Sequence, residues 1–210
     1  MEAFRMERFF ERDNEIEVTG KEKGFLGSYY AARVIANMGD NYVVEYKELL
    51  EDDERTHCKE TVMAHDVRPP HPNQTLPSGP RDYSSAKKKF GFGEQVDAYD
   101  NDGWWVGIVT GKKGGFCTVF FETTWDHIAY PVTHLRPHLE WRNGRWFPGK
   151  NRGRFVAENS YFSHELVECI LDEKIEQEKV KKSEVQRDHE HHRMQSGWEL
   201  KIVQSRTVWA

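Results

Sequence analysis

DGWWVGIVTG, residues 102–111, sets Trp104 and Trp105 side by side between a glycine and a β-branched run. Consecutive side chains of a strand face opposite ways, so the two indoles cannot serve the same surface. The stretch has an echo earlier in the chain. GSYYAARVI, residues 27–35, carries Tyr29 and Tyr30 where the later stretch carries Trp104 and Trp105. Tyr30 to Tyr46 is sixteen residues, and so is Trp105 to Phe121; Tyr30 to Val34 and Trp105 to Val109 are both four. Each copy closes on an Arg-Pro pair, Arg68-Pro69 and Arg136-Pro137. An internal repeat of this kind predicts two copies of one small fold.

Within each copy the pattern is β. Tyr30, Ala32 and Val34 alternate with Ala31, Arg33 and Ile35, and Val43-Val44-Glu45-Tyr46 reads as the next strand. The glycine-containing turns ANMGDN and TGKKGG suit hairpins at matching places. Some fifty residues with so few strands favour a barrel over a sandwich. The expected class is therefore mainly β, with two small barrels in tandem and a charged C-terminal segment that is helical or disordered. The expected division is an N-terminal segment 1–14, a first domain 15–70, a linker 71–89, a second domain 90–147, a basic linker 148–162 and a tail 163–210. The linker is rich in Pro and Ser. LEWRNGRWFPGKNRGRF, from residue 139, is basic and aromatic and reads as lacking strand alternation. From Ser163 to about Arg187, the residues Leu166, Ile170, Leu171 and Ile175 give a loose helical stripe.

Composition bounds the function. The 210 residues carry a net charge of -5, with 31% charged and 13% aromatic residues. No eighteen apolar residues run together, which predicts no membrane span. The charge-broken N-terminus reads as no signal peptide. Three widely spaced cysteines form no disulfide or zinc framework and suit a reducing, intracellular setting. No phosphate-binding glycine loop, nucleophile elbow or zincin motif occurs, so neither an enzyme nor a cofactor is expected. His189, His191 and His192 match no zinc spacing, so no metal is expected either.

GFLGSYYAARVI, YVVEY and VRPP, followed by GEQVDAYDNDGWWVGIVTG, TVFFE, LRPHLEW and GRW, resemble a plant tandem Agenet pair. The resemblance covers roughly residues 15–147. Agenet domains belong to the Tudor-like chromatin readers, which are five-stranded barrels. The resemblance implies binding of methylated lysine in an aromatic cage, as in plant pairs that read dimethylated lysine in the A-R-K-S context of the histone H3 tail. It also implies a nuclear setting. Other relatives are linked to RNA.

On that resemblance, the cage of the first copy would be Phe25, Tyr30 and Tyr46, with an acid such as Asp52 orienting the ligand, and Tyr29 would pack on the opposite face. An alternative cage in the second copy would use Tyr99, Trp105 and Phe121 with Trp125 nearby, and Asp100 or Asp102 as acids; Trp104 would then pack. Methylated ammonium keeps its charge while losing donors, and aromatic faces attract such an ion by about 0.5–2 kcal/mol each. A rich aromatic set can equally be a seam between two barrels. Charge supports a basic ligand. Residues 15–70 hold twelve acids against seven Lys and Arg, and residues 90–140 hold seven against three.

Two further readings stand beside this one. Arg142, Arg145, Lys150 and Arg152 lie among Trp141, Trp146 and Phe147 and could make an RNA- or DNA-binding strip, or the two tryptophans could pack back onto the barrel. The barrels could also be a scaffold without a cage, whose C-terminal helix recruits a protein partner.

Overall fold

The computed structural model describes residues 10–72, 90–150, 152 and 164–206, with side chains described as far as Arg187. The linker expected at 71–89 and the segment before the helix lie almost wholly outside the described residues.

The first barrel comprises β1 (Glu15–Thr19), β2 (Ser28–Asn37), β3 (Asn41–Leu50), β4 (His57–Met63) and β5 (Val67–Arg68). Its repeat comprises β6 (Gln95–Asp100), β7 (Gly103–Lys113), β8 (Phe116–Phe121), β9 (Asp126–Pro131) and β10 (Leu135–Pro137). In both, the first four strands form an antiparallel meander, and the short fifth strand returns to pair with the first. A single 3-10 turn, Ala64–Asp66 or Val132–His134, redirects the chain between the fourth and fifth strands. Period-two alternation gives each barrel its core. Ile16, Val18, Tyr30, Ala32, Val34, Val44 and Val62 fill the first, and Val96, Ala98, Val109, Val119, Phe121 and Leu135 the second.

The barrels are joined edge to edge. β2 pairs antiparallel with β7 through Ser28 opposite Trp105 and Tyr29 opposite Trp104, and the Val106 amide donates to the Gly27 carbonyl at 2.8 Å. One equivalent pair of the repeat, Tyr29 and Trp104, thus lies directly across the joint, and the ten strands make one sheet.

Residues 139–148 depart from their reading, while residues 151 and 153–155 of that stretch lie outside the described residues. Leu139–Arg142 (β11) and Arg145–Pro148 (β12) form a hairpin rather than an irregular strip. Its turn is Asn143-Gly144, both with positive φ (48° and 75°), the Asn-Gly pair that two-residue hairpins favour.

The outer faces of the two barrels also differ. In β3 buried residues alternate with partly exposed ones, and Glu45 lies between Arg33 and Lys59 on the solvent side. In β8 all six residues of FCTVFF are buried, on both faces. The start of helix α1 (His164–Arg206) contributes to that cover: Val167 and Leu171 are buried, and Val167 lies against Gly111 of β7. Lys113 pairs with Glu168 at 2.8 Å. The helix runs well past the expected end near Arg187. One compact unit ends at Leu171, and the helix beyond it forms a second. That second unit is charged, with Lys179 paired to Glu176 and Val180 and Val185 exposed. Among the described residues no helix is long and apolar enough to cross a membrane.

Candidate functional site

β2 and β7 each carry two consecutive aromatics, and strand alternation sends them to two different sites. Tyr29 and Trp104 face a buried ionic seam. Tyr30 and Trp105 face an aromatic cluster at the other side of the sheet.

The seam is built from matched positions of the repeat. Glu17 sits opposite Arg68 in the register of β1 and β5, and Asp97 opposite Arg136 in β6 and β10. Each pair also bonds within its barrel: Arg68 Nε donates to Glu17 at 2.8 Å, and Arg136 Nε to Asp97 at 2.9 Å. Arg136 then reaches across the seam, donating from Nη1 and Nη2 to the two Glu17 oxygens at 2.7 and 3.1 Å. The return contact, Arg68 to Asp97, is longer at 3.7 Å. The guanidinium of Arg68 lies 3.2 Å from the Tyr29 ring centroid and that of Arg136 lies 4.1 Å from Trp104, both within cation–π range. His138 Nδ1 meets the second Asp97 oxygen at 2.6 Å. All of these charges are buried.

Burial alone would raise the Glu17 carboxyl, but the Arg136 and Arg68 guanidiniums outweigh it and hold its pKa below the ordinary value. Asp97 behaves alike: burial raises it, while the His138 hydrogen bond and Arg136 bring it below the usual range. His71, also buried, is pushed down to about 4 by burial and by nearby Arg136. Its Nε2 donates to the Pro137 carbonyl at 3.0 Å.

The aromatic cluster brings together Phe25, Tyr30 and Tyr46, and adds Trp105 from the second barrel. Tyr30 is central, with ring centroids of Phe25, Tyr46 and Trp105 at 6.3, 6.3 and 6.4 Å, all near edge-on. Phe25 and Trp105 lie 6.2 Å apart with a 31° tilt. Tyr30 and Tyr46 are buried, 6% and 8% exposed, whereas Phe25 is 46% exposed. Gly103 permits the fit, because a Cβ there would fall 2.7 Å from the Tyr30 ring. The acid at the cluster is Glu60, which accepts the Tyr46 hydroxyl hydrogen bond at 2.5 Å. Burial, and then that bond, raise the Tyr46 phenol above its usual value. Asp52 is exposed in the turn between β3 and β4. Asp102, also exposed, acts electrostatically on both Tyr30 and Tyr99, and Glu48 acts on Tyr99.

The four aromatics named for the second copy are dispersed by the same alternation. Tyr99 pairs across β6 and β7 with Trp104, its ring 5.1 Å away, and so lies on the seam face. Phe121 is buried edge-on to Tyr130 at 6.0 Å, and the Tyr130 hydroxyl donates to Asp100 at 2.8 Å. Trp125, at positive φ and 59% exposed, lies against Phe120 on the outer face. Trp105 alone reaches the first barrel's rings, its Nε1 donating to the Asp100 carbonyl at 2.7 Å.

In the hairpin, Trp141 and Trp146 lie 5.2 Å apart with a 59° tilt, and Trp146 covers His71 and Arg68. Arg142 pairs with Glu140 and Arg152 with Glu122, while Arg145 is exposed. No group of three or more His, Cys, Asp or Glu suited to a metal occurs among the described residues.

The seam escaped sequence reasoning, although its signal was present. Each copy places an acid in its first strand, out of phase with the core residues, and an arginine in its last. Glu60 escaped too, because nothing in β4 singles out one of its polar residues.

Comparisons with known proteins agree with this architecture. Two solved tandem-domain structures superpose on 67% of the chain. They are Arabidopsis thaliana AGDP1 AGD34 (33% identity, TM-score 0.57, 90% of that chain) and ADCP1 tandem Agenet domain 3-4 (31%, 0.55, 89%). The Arabidopsis thaliana protein AGENET DOMAIN (AGD)-CONTAINING P1 is 33% identical over 66% of the chain, and DUF724 domain-containing protein 6 from the same plant is 28% identical over 67%. The chain spans only about a quarter of the first relative's length and a fifth of the second's. The Agenet domain family matches residues 13–72 and 93–140, one match in each barrel, and the chain belongs to that family of Tudor-like protein- and peptide-interaction modules.

Proposed function

We propose that this protein is a chromatin reader that binds methylated lysine of the histone H3 tail, with the dimethylated A-R-K-S site as its ligand. The observation that supports this best is the cluster of Phe25, Tyr46 and Trp105 around the Tyr30 ring, with the Glu60 carboxylate against Tyr46. Aromatic faces attract the methylated ammonium, and a carboxylate supplies the opposite charge. Asp102 adds negative potential beside Tyr30, which suits the basic flanks of a histone tail. A histone ligand implies work in the nucleus.

The RNA reading draws on less. Two of its three arginines, Arg142 and Arg152, are already paired with carboxylates, and Trp146 is turned onto Arg68.

A calorimetric titration of the full chain with H3-tail peptides, unmodified and dimethylated in the A-R-K-S context, tests the proposal. Micromolar affinity, about -8 kcal/mol, for the dimethylated peptide alone is expected. Equal heats from both peptides, or none from either, would refute it.

A further inference from the structure

The first barrel does not enclose its aromatic cluster unaided. Tyr30, almost fully buried and touched by three rings, is a floor. Tyr46 is fixed by Glu60 on one side. The remaining sides are Phe25, from the loop between β1 and β2, and Trp105, from β7 of the other barrel. In the ligand-free fold these two stand 6.2 Å apart at 31°. Carbon atoms pack at about 3.5–4.0 Å, so a methylammonium between two ring faces needs roughly 7–8 Å. The pair is closed.

One of these walls must yield for a ligand to enter, and the contacts say which. Trp105 is tied by its Nε1 hydrogen bond to Asp100, by its place opposite Ser28 in the inter-barrel ladder, and by packing against both cores. Phe25 has a fixed backbone: its amide donates to the Glu22 carbonyl, and its own carbonyl accepts from the Ser28 amide and hydroxyl. Its ring, by contrast, is half exposed, with Gly24 before it in the chain and Gly20 against it, where a Cβ would fall 3.0 Å from Phe25 Cβ. Neither glycine has a side chain to block the ring's rotation about Cα–Cβ.

Resting on the reader function proposed above, we infer that the methylammonium pocket is shared between the barrels, with Trp105 as its fixed wall and the Phe25 ring as its gate. The ligand takes the space that opens when Phe25 turns away from Trp105. The second barrel is then part of the binding site and not a second reader, consistent with the dispersal of Tyr99, Phe121 and Trp125. The ionic seam sets the position of the fixed wall, because it holds β7 against β2.

The test is NMR on the full chain with labelled tryptophan indoles and phenylalanine rings, titrated with the dimethylated A-R-K-S peptide and separately with tetramethylammonium. Both probes should shift the Trp105 indole N–H and the Phe25 ring ahead of every other tryptophan and phenylalanine. Trp105→Leu, apolar but not aromatic, should weaken peptide binding about tenfold, the worth of one desolvated aromatic wall. Phe25→Ala should weaken affinity while speeding association. Should Trp105→Leu fail to fold, the wild-type spectra decide alone. A Trp105 signal unmoved at saturating peptide, or Trp105→Leu binding like wild type while Tyr46→Ala does not bind, would overturn the shared wall and leave the reader function standing. Binding of neither probe by the wild type would overturn both.

Discussion

Arg136 grips Glu17 through both terminal nitrogens, at 2.7 and 3.1 Å, across 119 residues of sequence and from one barrel to the other. Its Nε holds Asp97 of its own barrel at the same time. One fully buried guanidinium therefore bridges the two copies of the repeat, and its counterpart Arg68 closes the same circuit. A repeat that alone would give two independent beads instead has its polar residues in common.

Neutralising one member should therefore unfold both barrels together. Glu17→Gln leaves two buried arginines short of a carboxylate, and removing one partner of a buried pair costs about 3–5 kcal/mol. Urea unfolding followed by tryptophan fluorescence and by far-ultraviolet dichroism should show one coincident transition, shifted to lower urea. Two separated transitions would show that the barrels are energetically independent.

Acid should weaken the same seam. His71 titrates near 6.5 in the unfolded chain and at about 4 in the fold. Between those values the unfolded chain holds the extra proton, so stability falls as pH falls through that window. Glu17 and Asp97, held below the ordinary carboxylate range, add a loss in the same direction at still lower pH. Thermal unfolding followed from neutral pH downward should give a falling Tm. His71→Gln, which can still donate to the Pro137 carbonyl, should flatten the first part of the fall. An unchanged slope in that variant would remove His71 from the account.

Much of this was written locally. The spacing from Tyr30 to Tyr46 and from Trp105 to Phe121 carries the repeat, and strand alternation alone separates Trp104 from Trp105. The Asn143-Gly144 pair is itself a hairpin signal, set among basic and aromatic residues that suggest a binding strip. The bond from Arg136 to Glu17 was not legible in that way, since no periodicity links partners so far apart. The same limit hid the neighbourhood of Trp105. Strand alternation separates Trp105 from Trp104, but only the pairing of β2 with β7 brings Trp105 to the first barrel's rings.

The helix start should prove part of the second barrel's packing. Leu171 is fully buried, and Leu171→Ala should cost about 2–5 kcal/mol. Gly111→Ala attacks the same contact from the other side, because its Cβ would fall 2.1 Å from Val167 Cγ1. In both variants hydrogen exchange should quicken at the amides of residues 164–171 and in β7 and β8, while β3 and β4 keep their protection. Uniform loss of protection would mean instead that the helix contact supports the whole unit.

Gly103 offers the most direct control on the aromatic cluster, because it tests shape without deleting a ring. Any Cβ at this position would fall 2.7 Å from Tyr30 Cε1 and 3.0 Å from Cζ, below ordinary contact. Tyr30 cannot retreat far, since Tyr46, Phe25 and Trp105 surround it. Gly103→Ala should tilt the ring and disturb the floor of the pocket. Overpacking of this kind costs about 1–3 kcal/mol, small enough for the fold to survive if the chain has ordinary stability. Peptide affinity should fall by a larger factor than the loss of stability explains, because at saturating folded protein only pocket shape matters. Calorimetry at a temperature well below the variant's Tm separates the two effects. Wild-type affinity in a folded Gly103→Ala protein would mean that the ligand does not use the Tyr30 floor.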